Sequence, residues 1–400
     1  MWIWALDRMV DQVFRIGAAE ITFPDGRTRR YGQDTARPVR LRLIDPSLPR
    51  RFCLNPDLAL GEGYMDGGLE FEDGDPRPFV EVAASNRMAG HAPALMRLRE
   101  RVAGPIQRYL RHNFPAASRR NVAHHYDLSG ALYDLFLDED RQYSCGYFPD
   151  PAMTLDAAQE AKKRHIARKL CLRPGDRVLD IGCGWGGMAL TLARDYGARV
   201  VGITLSTEQH QIATRRAEEA GLSDRVEFRL QDYRKVRERF DRIVSVGMFE
   251  HVGHAEFRAY FDTVSRLLAP DGIALIHTIG NHRPPRPTSA WVRKYVFPGG
   301  YIPSLSEMVA EVEHSGLLTL DVEIWRLHYA RTLRHWHDRF MAQIDRARDI
   351  YDERFCRMWR YYLIAAEAGF SHEALSVFQV QLGHRKDAAP LTRDYMTAPA

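Results

Sequence analysis

Val178-Leu-Asp-Ile-Gly-Cys-Gly-Trp-Gly-Gly187 is the stretch on which the reading of this 400-residue chain turns. Val178 to Ile181 is mostly apolar and partly β-branched, a glycine-rich turn follows, and residues 188–196 read as a helix. The order is strand, tight loop, helix N-terminus. Glycines are needed where the backbone turns with positive φ and where a ligand comes within van der Waals distance of the main chain, because a Cβ blocks both. The unpaired N–H groups of the first helical turn face whatever lies above the loop. The expected occupant is nucleotide-like.

Gly182, Gly184 and Gly187 satisfy the G-x-G-x-x-G spacing, a weak signal by itself. A nicotinamide site wants an acid about 20 residues further on, at the tip of the second strand, to hold a ribose. The next strand, Arg199-Val-Val-Gly-Ile203, runs into Thr204-Leu-Ser-Thr-Glu-Gln209 without an acid at its tip. The acid is Asp180, just before the first glycine. This placement suits a ligand whose amino-acid end meets the first loop, as in S-adenosylmethionine-dependent methyltransferases.

Downstream the chain alternates. Strands are predicted over 199–203, 226–230, 241–246 and 273–278, with helices over 206–220 and 255–268, and a polar helix over 154–170 precedes the glycine turn. Such alternation predicts a parallel sheet with helices on both faces, and ligands in that architecture bind beyond the carboxyl ends of the strands. The residues to watch are therefore 180–187, 204–209, 231–233, 247–251 and 277–280.

Upstream, residues up to about 80 read as a small α/β module. Strands are predicted over 20–23 and 37–44, and Gly61-Glu-Gly-Tyr-Met-Asp-Gly-Gly68 reads as a turn-rich patch. Apolar residues at 3, 6, 9, 10, 13 and 14 recur at helical spacing, which suits packing on the module or a place in a membrane interface. Between Arg87 and Arg120 stand eight arginines (87, 97, 99, 101, 108, 111, 119, 120) against the single acid Glu100, a local balance of about +7. This stretch reads either as a solvated linker or as a patch for an anionic surface, phospholipid or nucleic acid. The domain boundary falls near residue 115, giving 1–115 and 116–400.

The whole chain carries only +4, with 45% hydrophobic residues, enough to bury a sizeable core. Five cysteines (53, 145, 171, 183, 356) form no C-x-x-C pair, as in a reducing compartment. No apolar run approaches the ~20 residues that cross a bilayer, and the acids at 7 and 11 exclude a secretory signal in the opening stretch. His335 and His337 stand two apart with no further ligands at metal spacing, so no metal is expected. The location expected is the cytoplasm.

The ordered motifs Gln142-Tyr-Ser-Cys-Gly-Tyr-Phe148, Val178 to Gly187, Gly202-Ile-Thr-Leu-Ser-Thr-Glu-Gln209, Phe249-Glu-His-Val-Gly253, His277-Thr-Ile-Gly280, Phe297-Pro-Gly-Gly-Tyr-Ile-Pro-Ser304 and His328-Tyr-Ala-Arg-Thr-Leu333 carry a resemblance. With Asn121-Val-Ala-His-His-Tyr-Asp-Leu128 before them, the chain from about residue 121 onward resembles the cyclopropane-fatty-acyl-phospholipid synthase family, which includes the mycolic acid cyclopropane synthases. The N-terminal module fits only in outline. The resemblance implies a Rossmann-like class I methyltransferase sheet and S-adenosylmethionine as methyl donor. Tyr143 and Ser144 would lie near its methionine end, Gly182 and Gly184 under it, Thr204, Leu205 and Gln209 around the ribose and adenosine, and Asp232 and Tyr233 beside the adenine. It further implies a bound bicarbonate that takes a proton from the newly added methyl, held by Glu250, His277, Tyr329 and the main-chain amides of Cys145 and Ile279. The substrate implied is an unsaturated phospholipid in the membrane, met peripherally at the inner face, by a protein that relatives suggest is a homodimer.

A fatty-acyl C-methyltransferase giving methyl-branched or methylidene chains fits the same motifs. Residues 280–303, with prolines at 284, 285 and 287 and aromatics at 291, 295, 297 and 301, read as part of an acyl-chain cover. A nucleic-acid methyltransferase is disfavoured because no Asn-Pro-Pro-Tyr-like or Pro-Cys motif stands at a strand end, so no nucleic-acid partner is expected. A lipid-binding protein with a dead catalytic domain is disfavoured by the complete set Glu250, His277 and Tyr329.

Overall fold

The computed structural model describes residues 1–33, 37–91 and 130–397. The arginine-rich stretch beyond residue 91, the Asn121 to Leu128 motif and the boundary near residue 115 lie outside the described residues. Two compact units form: Met1–Arg108 with Arg286–Pro298 and Leu333–Leu375, and Tyr109–Pro285 with Gly299–Thr332 and Ser376–Ala400. A single division near residue 115 assigns the two later stretches of the first unit to the catalytic region. The chain in fact returns to the N-terminal module twice.

Among the described residues the first unit has a four-stranded sheet, with β1 (Ala18–Thr22), β2 (Thr28–Gly32), β3 (Val39–Leu43) and β4 (Leu69–Phe71) in the order β2-β1-β3-β4. Strand β3 alternates as its sequence predicts: Leu41 and Leu43 are buried while Arg40 and Arg42 face out. Those arginines stand opposite Glu20 on β1 and Glu70 on β4 and pair with them, so the cross-strand charges help fix the register. Strand β2 escapes the sequence pattern because only Tyr31 in it is buried.

The supposed turn-rich patch at 61–68 is mostly helix, Pro56–Met65, capped by Asn55. Its glycines serve close packing: a Cβ on Gly61 would overlap the indole of Trp291, and one on Gly63 would crowd Leu69. Trp291 is 1% exposed, its ring 4.8 Å from that of Tyr361 and its N–H 3.3 Å from the Met65 sulfur. This is why residues 286–298 join the first unit. Trp291, expected in an acyl-chain cover, belongs to that unit's core.

The second unit is built on β5 (Arg177–Ile181), β6 (Arg199–Thr204), β7 (Val226–Leu230), β8 (Phe240–Val246), β9 (Leu268–Asn281), β10 (Leu318–Trp325) and β11 (Leu375–Gly383), ordered β10-β11-β9-β8-β5-β6-β7. The pairs β5–β6, β5–β8, β6–β7 and β8–β9 are parallel, and β10 runs antiparallel to β11. Successive residues of the central strands feed opposite faces. Leu179 and Ile243 join a core with the helix Phe257–Leu267, whereas Val178 and Val244 join one with the helices Gly187–Tyr196 and Thr207–Glu219. Strand order reverses at β5, with β6 on one side and β8 on the other, and a crevice opens there at the carboxyl ends.

Phe261 is fully buried, 5.3 Å from the rings of Phe249 and Tyr260. Phe261→Ala is expected to destabilise the second unit by about 3–5 kcal/mol in urea unfolding. A loss below about 1 kcal/mol would contradict this packing.

Candidate active site

The crevice follows from the loop after β5. Gly182, Gly184 and Gly186 all have positive φ (81°, 55° and 88°), and the amides of Gly182 and Cys183 both donate to the Ile203 carbonyl on β6. The turn is thereby clamped to the neighbouring strand. At Gly184 a Cβ would meet nothing within 4 Å, so the loop's open side faces the crevice. At Gly187 a Cβ would overlap the Asp140 carboxylate, which is bonded to Lys163 at 2.6 Å and to Arg216.

Tyr143, Ser144, Asp180, Gly182 and Gly184 line this cleft, with Thr204 at the end of β6, Leu205 just after it and Gln209 on the helix that follows. Asp232 and Tyr233, past the end of β7, line it too. Thr204 donates to the Gln209 side chain at 2.9 Å, and Ser206 caps the helix that carries Gln209. Burial pushes the Asp232 carboxyl up, but the Arg234 guanidinium at 2.6 Å outweighs it and holds the group below the usual range. Asp180 is different: burial lifts its carboxyl to about 7 against the charge of Lys162, and its Oδ2 has no hydrogen-bond partner.

Ser144 is held from behind. Lys162, completely buried on the helix Leu155–Lys169, donates to Ser144 Oγ and Gln142 Oε1, each at 2.7 Å, while Gln159 donates to the Ser144 carbonyl at 2.9 Å. Burial lowers the Lys162 ammonium to about 8. The sequence shows this helix only as polar, so Lys162 carries no advance signal. Trp185, Met248 and His251, which fall in the strand-end stretches 180–187 and 247–251 but for which the sequence predicts no individual role, also line the cleft; burial pushes the His251 imidazole down to about 4 and keeps it neutral.

Glu250, His277, Ile279, Tyr329 and Cys145 do not line the cleft itself, although Ser144, Met248 and His251 beside them in the chain do. Glu250 sits in the turn after β8, and His277 and Ile279 lie two residues apart on β9. The Ile279 N–H donates to Glu250 Oε1 at 2.6 Å, and Oε2 is buried with no partner. That amide, expected to turn toward a small anion, is engaged by Glu250. Burial raises the Glu250 carboxyl to about 7 against the Ile279 bond. His277 is buried, its Nδ1 3.0 Å from the Gln379 amide on β11. Tyr329 is buried near the start of the helix His328–Ala342, and Cys145 is fully buried with its thiol pushed up by desolvation. Their segments are tied together: the Gly146 N–H donates to Thr332 and the Phe148 N–H to His328, each at 3.0 Å. Glu250 and Ile279 are thus joined directly, and Cys145 and Tyr329 lie on two strapped segments. Among the described residues no group of three or more His, Cys, Asp or Glu is arranged to hold a metal ion.

The family model for mycolic acid cyclopropane synthetase matches residues 115–380, and a model for a domain of unknown function matches residues 5–89. The cyclopropane-fatty-acyl-phospholipid synthase of Escherichia coli K12 is 39% identical over 375 residues, which cover 90% of this chain and 94% of that protein. A probable fatty acid methyltransferase of Pseudomonas putida is 42% identical over 288 residues, covering 69% of this chain and 73% of its own. Among solved structures, a mycolic acid cyclopropane synthase complexed with SAH and CTAB aligns with a TM-score of 0.63 at 33% identity, over 66% of this chain and 97% of that one. The sheet is that of the class I methyltransferases. The match runs through the glycine turn, the strand-end residues and nearly all of a full-length relative, so this chain belongs to the mycolic acid cyclopropane synthetase family.

Proposed function

We propose that this protein transfers a methylene group from S-adenosylmethionine to the cis double bond of unsaturated acyl chains in membrane phospholipids, closing a cyclopropane ring. The observation that carries this reading is Glu250, next in the chain to the cleft-lining His251, with one oxygen on the Ile279 amide and the other buried without a partner. A buried polar atom left unpaired costs about 1–3 kcal/mol, and a ligand that completes the site removes that cost.

The cleft fits the methyl donor in charge as well as in shape. Burial raises the Asp180 pKa more than the charge of Lys162 lowers it, so a bound cation beside the carboxyl would favour its charged form further. Tyr143 and Ser144 would meet the methionine end above Gly182 and Gly184; Thr204, Leu205 and Gln209 would hold the ribose and adenosine, and Asp232 and Tyr233 would flank the adenine. When bound, the cofactor supplies an electrophilic methyl group. An alkene is a feeble nucleophile, so the work of these residues is to hold donor and double bond in line in a dry site.

Methyl transfer leaves a cation on the acyl chain, and ring closure requires the new methyl to lose a proton. Bicarbonate, when bound, would supply the proton acceptor. Glu250, His277 and Tyr329 would hold it with the amides of Cys145 and Ile279, and Glu250 would share the Ile279 donor with it. A Glu250 carboxyl that keeps its proton up to about pH 7 can donate from Oε2 and favours an anion where a carboxylate would repel one. A second reading, C-methylation to a methyl-branched or methylidene chain, is favoured by the likeness to the Pseudomonas putida protein. It uses the same cation and differs in which proton leaves.

The proposed contact with the cytoplasmic face of the membrane is the helix Trp2–Val13, since no described helix is long and apolar enough to cross a bilayer. Leu6 and Val10 are buried, whereas Trp2 and Trp4 are 39% and 64% exposed, with Arg8 5.8 Å from the Trp4 ring. Asp7 and Asp11 are turned to Arg29. The outward side therefore offers tryptophan and arginine, a pairing suited to an anionic headgroup layer.

Incubation with cis-unsaturated phospholipid vesicles and S-adenosylmethionine, with and without bicarbonate, should yield a cyclopropane ring by NMR and a rate that depends on bicarbonate. A chain bearing a methyl group and no ring favours the second reading. Glu250→Gln should lower kcat by about 100-fold or more and leave cofactor affinity within about threefold; equal loss of both would remove Glu250 from the chemistry. Cofactor affinity measured by calorimetry should rise roughly tenfold per pH unit below pH 7 and level off above it, because binding must displace the Asp180 proton at lower pH. Asp180→Asn should flatten that profile, and a flat wild-type profile would refute the role of Asp180. Trp4→Ala with Arg8→Glu should weaken binding to anionic vesicles by about tenfold at unchanged kcat on detergent-dispersed lipid; unchanged vesicle binding places the contact elsewhere.

A further inference from the structure

The ring of His277 is not free to choose its tautomer. Gln379 stands between two fixed partners: its Oε1 is 3.1 Å from the Lys169 ammonium, and its amide nitrogen is 3.0 Å from His277 Nδ1. An ammonium has only donors, so the amide oxygen must face Lys169; turning the amide over would set NH2 against NH3⁺. The NH2 group then donates to Nδ1, which must be the bare nitrogen. Burial holds the imidazole far below its usual pKa, with the charges of Lys162 and Lys169 acting in the same direction, so the ring is neutral. A neutral ring with a bare Nδ1 carries its proton on Nε2.

The anchor of this chain is itself anchored. Lys169 ends the helix Leu155–Lys169 with its ammonium fully buried, 2.6 Å from Glu323 Oε2 on β10, and the Lys169 carbonyl accepts from Gln381 at 2.6 Å. Glu323 also bonds His165 at 2.7 Å. Burial pushes the Glu323 carboxyl up, but His165 and Lys169 together bring it to about 2, so it remains a carboxylate and Lys169 keeps its charged partner. Trp325 stands perpendicular to the His277 ring at 5.1 Å and fixes its plane.

We propose that Gln379 and Lys169 are positioning residues that hold His277 as the Nε2–H tautomer, so that this position presents a hydrogen-bond donor to the small anion and cannot serve as the base. The inference rests on the reading of His277 as an anion ligand. It leaves proton abstraction to the anion and gives Gln379 and Lys169, which do not line the cleft, a defined part in catalysis.

The test is histidine 15N NMR on the full-length protein, with the His277 signals assigned by their loss in His277→Ala. The wild type should show a neutral Nε2–H ring from about pH 6 to 8. Gln379→Met should give a mixture of tautomers, and Gln379→Glu, whose carboxylate accepts from Nδ1–H, should give the Nδ1–H or doubly protonated ring. Both should lower kcat by about 10- to 100-fold, the size typical of an outer partner that orients a functional histidine, with the dissociation constant for S-adenosylhomocysteine changed less than about threefold. Lys169→Met should move the tautomer in the direction of Gln379→Met. An Nδ1–H ring in the wild type, or a Gln379→Met protein that keeps the Nε2–H ring, overturns the proposal, as does a changed tautomer at undiminished kcat. Should Gln379→Met fail to fold by circular dichroism, Gln379→Glu carries the same comparison. Undiminished turnover in His277→Ala would instead sink the anion-ligand reading while leaving the tautomer result to stand.

Discussion

Desolvation at the carboxyl ends of β5 and β8 governs the chemistry of this protein. The strands leading there are apolar on both faces, as parallel strands between two helical layers must be, and so they deliver Asp180, 2% exposed, and the turn bearing the half-buried Glu250 to the edge of an apolar core. A carboxyl in such a place ionises only beside a cation or enough donors. Asp180 has neither in full, and Glu250 accepts from the Ile279 amide at one oxygen while the other has no partner. The same dryness that builds the core therefore leaves two acids poised near neutrality next to each other in the fold. One awaits positive charge and the other is suited to a negative one.

On the proposed reading, that division would let a cation and an anion be served by separate groups. Asp180 lines the crevice among the glycines, whereas Glu250 and His277 lie beyond its lining, behind Met248 and His251. Neutral His251 and neutral His277 add no charge of either sign. Buried Lys162 favours ionised Asp180, and with Lys169 it disfavours protonated His277. Burial is the largest cause of the shift in each case: it favours the neutral form of Asp180, Glu250, His251 and His277 alike.

Much of this was legible in the sequence. The glycine turn, the acid before it and the alternation after it led to the parallel sheet and the crevice, because each rests on local patterns of period and turn chemistry. Less legible were features whose reason lies in a distant partner. Gly61 and Gly63 read as a turn but permit helix packing against Trp291 and Leu69. Strand β2 shows one buried residue and so no alternation. Trp291 reads as cover for a lipid chain, yet it is buried in a unit to which the chain returns after more than 170 residues. Gln379 and Lys169 look like ordinary polar residues of a strand and a helix; only tertiary contact reveals what they touch.

The helix Leu155–Lys169 has a consequence of its own. Gln159, Lys162, His165 and Lys169 recur at spacings of three and four, so they share one side of the cylinder, and all four are buried. The first two grip the segment carrying Ser144, and the last two end, through Glu323 and Gln379, at His277. A single helix thereby serves as a common mount for the segment carrying Ser144 and for the run of contacts that ends at the His277 imidazole. A slide or roll of the helix by a fraction of an ångström would misalign both together, which makes their mutual alignment a property of one backbone element and not of two independent loops.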